Sequence, residues 1–384
     1  MARVSLSWAL ILGLLSGIGP LCTDFYLPAL PEITQQLQAT STQTQLSLTA
    51  ALIGLGLGQL FFGPLSDRIG RLKPLALSLL LFIFSSAMCA LTRDINMLIV
   101  WRFLQGFAGA GGSVLSRSIA RDKYQGTLLT QFFALLMTVN GIAPVLSPVL
   151  GGYVITAFDW RILFWTMAAI GGVLLVAILR ETRPATAAHA ARQQRGQPVL
   201  KNRRFLRFCL IQAFMMAGLF SYIGSSSFVM QSEYGMSAMQ FSLLFGLNGI
   251  GLIIAAMTFS RLARRFSAES LLRGGLTLAV SCAAIMLLFA WLHLPVLALV
   301  GLFFTVSLMS GISTVAGAEA MSAVDAAQSG TASALMGTLM FVFGGIAAPL
   351  AGLGGETMLK MSLAMAICYL LALLLGLSKP RDAR

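Results

Sequence analysis

Charge is scarce in this sequence. Only 10% of its 384 residues are Asp, Glu, Lys or Arg, against about 25% in an ordinary soluble domain. That shortage excludes a globule coated in polar side chains. With 57% apolar residues and a mean hydropathy of +0.85, the surface itself must be apolar, and a membrane is the expected solvent. Paired cysteines are missing too. Cys22, Cys89, Cys209, Cys282 and Cys368 are scattered through apolar stretches without a CxxC pair. They read as small apolar fillers, not as a zinc site or a disulfide framework. The two histidines, His189 and His293, lie outside the apolar runs, and neither HExxH nor the phosphate-binding GxxxxGK(S/T) pattern occurs. No metal, ATP or other cofactor is therefore expected. No nucleophile–base cluster argues for an enzyme, and no polar segment is long enough to be a sensor's output domain.

What is present is a series of apolar runs. A spanning helix needs about 20 apolar residues. Twelve such runs can be read: 6–30, 44–64, 74–92, 96–116, 127–155, 161–179, 205–230, 237–260, 271–292, 295–318, 330–353 and 358–377. Glycine recurs inside them, as in LIGLGLGQL and GLNGIGLIIA, which suits close helix packing in lipid. The first run carries no small-residue cleavage site and is expected to stay as a helix, not to be removed as a signal peptide. Between runs six and seven lies RETRPATAAHAARQQRGQPVLKNRR, a polar stretch with no apolar period, read as a linker. It divides the chain into 1–180, 181–204 and 205–384, with six runs on each side. Letter identity between the halves is too weak to mark a repeat, but two six-helix halves are a transporter pattern.

The net charge is +13, which in a soluble protein points to nucleic acid. Position excludes that here. Of 26 Lys and Arg, 22 fall on the termini, the even-numbered connections and the linker; Arg93, Arg161 and Lys360 fall on the other side, and Arg102 lies inside run four. The positive-inside rule makes the rich face cytoplasmic, together with both termini.

A lone charge in hydrocarbon costs at least about 2.5–3.5 kcal/mol on insertion scales. Asp24, in TDFYLPALPEI (23–33), therefore either lies at the water boundary or has a task. About seven residues, roughly 10 Å of helix, separate it from Pro31, read as the outer edge. Arg102 lies roughly 9 Å below the same edge. Either the two charges face each other in a cavity, or Asp24 is interfacial and Arg102 snorkels outward. Glu319, near the inner end of run ten, is a second candidate proton carrier. The connection GPLSDRIGRLKPL (63–75) is expected to turn through Gly63, Pro64 and Gly70. It carries Asp67, Arg68, Arg71 and Lys73, with Asp67 expected to latch onto a helix N-terminus, for which run eleven, opening SGTASAL (329–335), is the candidate. APVLSPVLGG (143–152) sets Pro144, Pro148, Gly151 and Gly152 in one span, where a kink and a close neighbour are expected. Phe25, Tyr26, Phe220, Tyr222, Ser225, Phe228 and Asn248 are candidate lining for a substrate cavity, or else interface belts and packing.

At these residues the sequence resembles the major facilitator superfamily, drug:proton antiporter type, in its bicyclomycin/chloramphenicol-resistance branch. GPLSDRIGRLKP is similar to the loop signature GxLxDRxGRR, departing at Leu72 with Lys73 next in line. LIVWRFLQGFAGA (98–110) resembles LxxxRxxQGxGA, with Arg102 on its arginine. SPVLGG (147–152) resembles the antiporter GPxxGG with Ser147 for the first glycine, and DFYLPALP resembles DxxxPxxP of helix one. FDWRILFW and RETRP look like branch features, and SYIGSSSFVMQSEYG (221–235) resembles the helix-seven segment with Ser227 where proline is common. The resemblance covers essentially the whole chain. It implies an all-α fold of twelve transmembrane helices in two pseudosymmetric six-helix bundles, alternating access, and export driven by inward proton flow. It also implies a bacterial inner-membrane location, a monomer, and coupling or substrate roles for Asp24 and Arg102.

Two functions are carried forward. One is proton-coupled export of small amphipathic or cationic compounds; the other is a dedicated proton-coupled transporter of one metabolite, such as a nucleoside, sugar or amino acid. In both, the partners are a small-molecule substrate, protons and the lipid bilayer, with no nucleic acid. The orientation has its own test. A cysteine placed near Gly196 should resist an impermeant thiol reagent in intact cells, and labelling from outside would reverse the assignment.

Overall fold

Lipid offers the backbone no hydrogen-bonding partner, so spanning segments of this length must be helical. The structure, a computed structural model, describes residues 6–123, 126–181, 202–324 and 329–378; side chains at 6, 7, 9, 121, 126–141, 181, 329 and 330 lie outside that description. Most of the expected linker, 182–201 with His189 and Gly196, also lies outside the described residues. Among the described residues the secondary structure is helical, with no strand. The helices are α1 (Leu6–Asp24), α2 (Leu30–Gln36), α3 (Ser41–Ile69), α4 (Leu72–Leu91), α5 (Ile95–Lys123), α6 (Gly126–Ala157) and α7 (Arg161–Glu181), followed by α8 (Arg203–Phe228), α9 (Ala238–Leu262), α10 (Ala268–Trp291), α11 (Pro295–Ser322), α12 (Ser329–Ala351) and α13 (Met358–Leu377). Each of the twelve runs falls on one of these helices, the first on α1 and α2 together. Among the described residues eleven segments are long and apolar enough to cross a membrane; α6 contributes a shorter apolar stretch, Ile142–Ala157.

Two expectations need correction. Run one is not a single helix ending near Pro31. α1 stops at Asp24, a 3₁₀ turn spans Leu27–Ala29, and α2 carries the span on to Gln36. Pro28 and Pro31 supply no N–H and disfavour helical geometry in the residue before each, so the ladder cannot pass through unbroken. The end of α2 is fixed by Gln36. Its amide nitrogen donates to Glu32 (2.9 Å) and Asp159 (3.1 Å), and its oxygen accepts from Trp160 Nε1 and Arg161 Nη1, both at 2.9 Å. Partial burial pushes the Asp159 carboxyl upward, but the Arg161 N–H, Gln36 and the Arg161 guanidinium outweigh it and hold the group below its ordinary range. The second correction concerns residues 63–75. Gly63 and Pro64 are helical, since α3 runs to Ile69, and the turn is confined to Gly70 and Arg71. Gly70 has φ +86°, a conformation glycine adopts without a steric penalty.

Helix starts follow side-chain chemistry. Thr40 and Gln43 cap α3 reciprocally, Gln43 N–H donating to Thr40 Oγ1 (3.2 Å) and Thr40 N–H to Gln43 Oε1 (2.9 Å). Asn202 caps α8, Ser267 caps α10 and Thr357 caps α13. Past Phe228, α8 widens into a π turn over Val229–Glu233, and Glu233 Oε2 accepts the Met358 N–H at 2.6 Å. A carboxylate at the start of α13 also suits that helix's dipole.

The chain divides into two compact units, Met1–Arg192 with Ala238–Leu243, and Gln193–Ser237 with Leu244–Arg384. In the first, α1 packs on α5 and α6, and α4 on α5 and α7; in the second, α8 packs on α11 and α12, and α10 on α11 and α13. The same four pairings recur six runs later, so the repeat lies in the packing although the letters do not show it. Within the first unit α3 and α5 approach closely enough to demand glycine. A Cβ on Gly54 would strike the Phe103 carbonyl, and one on Gly106 would strike the Ala51 carbonyl. Overpacking costs about 1–3 kcal/mol and occasionally more, and backbone cannot yield as a side chain can. Gly106→Val should therefore abolish the monodisperse peak in detergent gel filtration. Gly172→Ala, where a Cβ meets nothing within 4 Å, should be neutral or stabilising by up to about 1 kcal/mol. Equal behaviour of the two variants would refute the close-packing account.

Candidate functional site

The break after Asp24 decides the chemistry of the first unit. A helix end leaves carbonyls without N–H partners. Phe25 N still reaches Leu21 O at 3.4 Å, but Cys22 O accepts no backbone N–H among the described residues. Arg102 of α5 supplies the donor. Its Nη2 lies 2.7 Å from Cys22 O, its Nη1 donates to Gln105 Oε1 and approaches Cys22 Sγ at 3.4 Å. The guanidinium is fully buried and stacks over the Tyr26 ring, 4.1 Å from its centroid, with Phe164 at 5.7 Å. A cation at a helix C-terminus also complements the dipole. Gln105 is held in turn by Ser86 Oγ (2.8 Å) and Met167 Sδ (3.3 Å). Tyr26 O–H lies 3.3 Å from Ser47 Oγ, which spends its own proton on Thr44 O at 2.6 Å, so the tyrosine donates.

Asp24 is 4% exposed and accepts from Thr23 Oγ1 at 2.8 Å. Among the described residues no ion pair joins it to Arg102. The two are held at the same helix end, but the arginine is turned to the Cys22 carbonyl, Gln105 and the Tyr26 ring. Neither earlier picture fits. The charges are not paired face to face, and Arg102 does not snorkel. Next to Asp24, Phe25 is buried, and its carbonyl occupies the space a Cβ on Gly151 would need. That is the close neighbour expected of the helix-five segment. α6 runs continuously through Pro144 and Pro148, with Ser147, Pro148 and Gly152 buried beside Gly151.

The other candidates make contacts of their own. Asp67 is exposed and pairs with Arg71 one helical turn on; Arg71 Nε also holds Asp122 Oδ2 at 2.8 Å and its Nη1 holds Ser66 Oγ at 2.8 Å. This triad ties the ends of α3 and α5 together, while Arg68 points to solvent and Gly70 makes the turn. In the second unit, Glu319 pairs with Arg204 at 2.9 Å, and Asn202 Nδ2 donates to Ala323 O at 2.5 Å, closing α8 onto the end of α11. Phe220, Tyr222, Ser225, Phe228 and Asn248 are all buried. Asn248 Nδ2 donates to Tyr222 Oη at 2.9 Å, and Tyr222 stacks on Phe245 with centroids 5.2 Å apart. Among the described residues Asn248 Oδ1 is buried without a partner, beside two aromatic rings. Phe220 packs on Phe341 at 6.1 Å.

The superfamily model described as Major Facilitator Superfamily matches residues 12–349. The chain belongs to that superfamily. It is 37% identical over 388 residues to a Bacillus subtilis protein named "Uncharacterized MFS-type transporter YdgK", covering 98% of this chain and 96% of that one. A Haemophilus influenzae protein named "Bicyclomycin resistance protein homolog" is 30% identical over 378 residues, 95% and 94% of the two chains. A Klebsiella pneumoniae "Multidrug resistance protein MdtL" is 34% identical over 259 residues, 66% and 64%. These relatives agree with the drug:proton antiporter branch that the motifs resemble. Among solved structures, a D-xylose–proton symporter aligns with TM-score 0.75 at 14% identity over 95% of this chain and 96% of its own, and the nucleoside transporter NupG with 0.74 at 14% over 96% and 98%. At that identity they show the major facilitator fold alone. As a superfamily member the chain is a multi-pass membrane transporter of small molecules, not an enzyme.

If Arg102 sustains the broken span, its loss should show in stability. Arg102→Met strands Cys22 O and Gln105 Oε1, at about 1.5–3 kcal/mol for each charged hydrogen bond. Arg102→Lys, a point charge without the planar fork, should recover only part of this. Thermal unfolding in detergent reads the order wild type, Lys, Met; an unchanged midpoint for Arg102→Met would sink the reading.

Proposed function

We propose that this transporter exports small amphipathic or cationic compounds in exchange for protons by alternating access. One observation carries the proposal. Asp24 is a buried carboxylate at the break of a spanning helix, and the nearby arginine is committed to other partners. An acid so placed is free to take a proton or a substrate cation in turn. Coupled exchange requires the two ligands to compete for one group, since binding both or neither uncouples them. A helix break gives that group a place to change surroundings without tearing a continuous hydrogen-bond ladder. The names of the bicyclomycin-resistance and multidrug-resistance relatives support export of foreign compounds. In the same reading the protein is a monomer of the bacterial inner membrane with both termini cytoplasmic, divided at 1–180, 181–204 and 205–384. Phe25, Tyr26, Phe220, Tyr222, Ser225, Phe228 and Asn248 contact substrate. Gly63, Asp67, Arg68, Gly70 and Arg71 form the conformational latch, Glu319 is a secondary proton carrier, and Pro144, Pro148, Gly151 and Gly152 serve the antiporter-like helix.

The test is transport in proteoliposomes with an imposed pH gradient across a compound panel. Asp24→Asn keeps the size of the side chain and removes its titration. It should abolish or strongly reduce uphill, pH-driven export while sparing downhill movement of an uncharged substrate. Wild-type uphill export by Asp24→Asn would refute the role, and Glu319 would be tested next. In the same assay Asp67→Asn should insert normally but transport more slowly, through loss of its charge contacts; an unchanged rate removes the latch from the proposal. Protection by the gene against one metabolite only, with no multidrug effect, would favour the dedicated-transporter alternative.

A further inference from the structure

A basic hollow at the end of α9 takes no part in the transport reading. Thr258, Arg261 and Leu262 on the last turns of α9, with Arg264 and Arg265 in the turn beyond, line a pocket of about 480 Å³. The three arginines are exposed, and none of their guanidinium groups makes a hydrogen bond or ion pair among the described residues. The described carboxylates of this unit are engaged elsewhere. Glu269, four residues past Arg265, is shared by Arg207 and Arg273 at 3.4 Å each; Glu319 holds Arg204; Glu233 takes the Met358 N–H; and Glu356 has an interaction of its own. Three like charges within five residues repel one another, and an anion among them offsets that repulsion. Guanidinium forks match the oxygens of a phosphate group, whose bonds to them are charge-assisted.

The surroundings favour a lipid as the bearer of that phosphate. Leu247, Ile250, Ile254 and Met257 are each about half-exposed and follow one another at spacings of three and four residues. They make one apolar stripe down α9, and the next position of the stripe is Arg261. Phe266, just past the pocket, is exposed as well. An apolar bed leading into a cationic hollow matches the two ends of a phospholipid. We infer that this pocket holds the phosphodiester of an anionic phospholipid, with the acyl chains lying along the α9 stripe.

Native mass spectrometry of the full-length protein tests this, reading the adducts kept with phosphatidylglycerol, cardiolipin or phosphatidylcholine, with and without inorganic phosphate as competitor. Wild type should retain the anionic lipids in preference to phosphatidylcholine. Arg261→Gln/Arg264→Gln/Arg265→Gln should lower that preference by about fivefold for each charge removed. Lys73→Gln/Arg93→Gln/Arg180→Gln, with the same charge removed from other exposed positions, should keep it. Equal retention of anionic and zwitterionic lipids by wild type overturns the proposal without any variant having to fold. So does an undiminished preference in the pocket variant, or an equal loss in the matched variant. Phosphate that binds wild type alone and fully displaces phosphatidylglycerol assigns the pocket to the free anion and overturns the lipid.

Discussion

A buried backbone carbonyl deprived of its helical partner is the constraint on which the first unit depends. Pro28 and Pro31 force the first span to stop at Asp24 and restart at Leu30. That frees the Cys22 carbonyl, and in lipid such a group must find another donor. Arg102 provides it but brings a positive charge that needs company of its own. Gln105, anchored by Ser86 of α4 and Met167 of α7, and the faces of Tyr26 and Phe164 supply that company. One local interruption thus ties the first span to three others. The polar cluster is the consequence of breaking a helix among buried side chains.

The same break explains the isolation of Asp24. An anion at the carboxyl end of a helix meets the negative pole of the dipole, and here the compensating cation has turned to a neutral carbonyl. The carboxylate keeps a hydroxyl, Thr23 Oγ1, and no described counter-charge. Such a group responds to any cation that reaches it. The second unit differs: the Asn248 oxygen, without a partner among the described residues and beside the stacked rings of Tyr222 and Phe245, is an acceptor that carries no charge.

Much of the fold was legible because hydrocarbon thickness imposes a length that composition reveals directly. All twelve runs are helical, though α5 and α11 extend past their runs into polar sequence that a hydropathy reading trims away. The break was half legible. Two prolines marked it, but Pro31 was read as the outer edge, whereas α2 carries the span on to Gln36. Gln36 uses both ends of its amide there, on Asp159, Trp160 and Arg161. Arg102 does lie beside the end of α1, but its partner there was not legible. Every residue owns a carbonyl, so no letter announces Cys22 as an acceptor. Gln105 was within reach of sequence reasoning, three residues after Arg102 and hence on the same helix face. Ser86, Phe164 and Met167 were not, since nothing in a sequence says which spans become neighbours.

The pairing of α3 with α5 has a mechanical meaning. Each is a 29-residue helix, about 43 Å long against a hydrocarbon core of about 30 Å, so each projects well into the aqueous layer. Glycine contact joins their middles, and Arg71, shared by Asp67 and Asp122, joins their ends. Two rods joined at more than one point resist sliding past each other more than either contact alone would. They bend as a laminate, far stiffer than either alone. The Gly70 turn and the Arg102 contact with the broken helix thus sit on one doubly joined pair of helices, at its end and along its length.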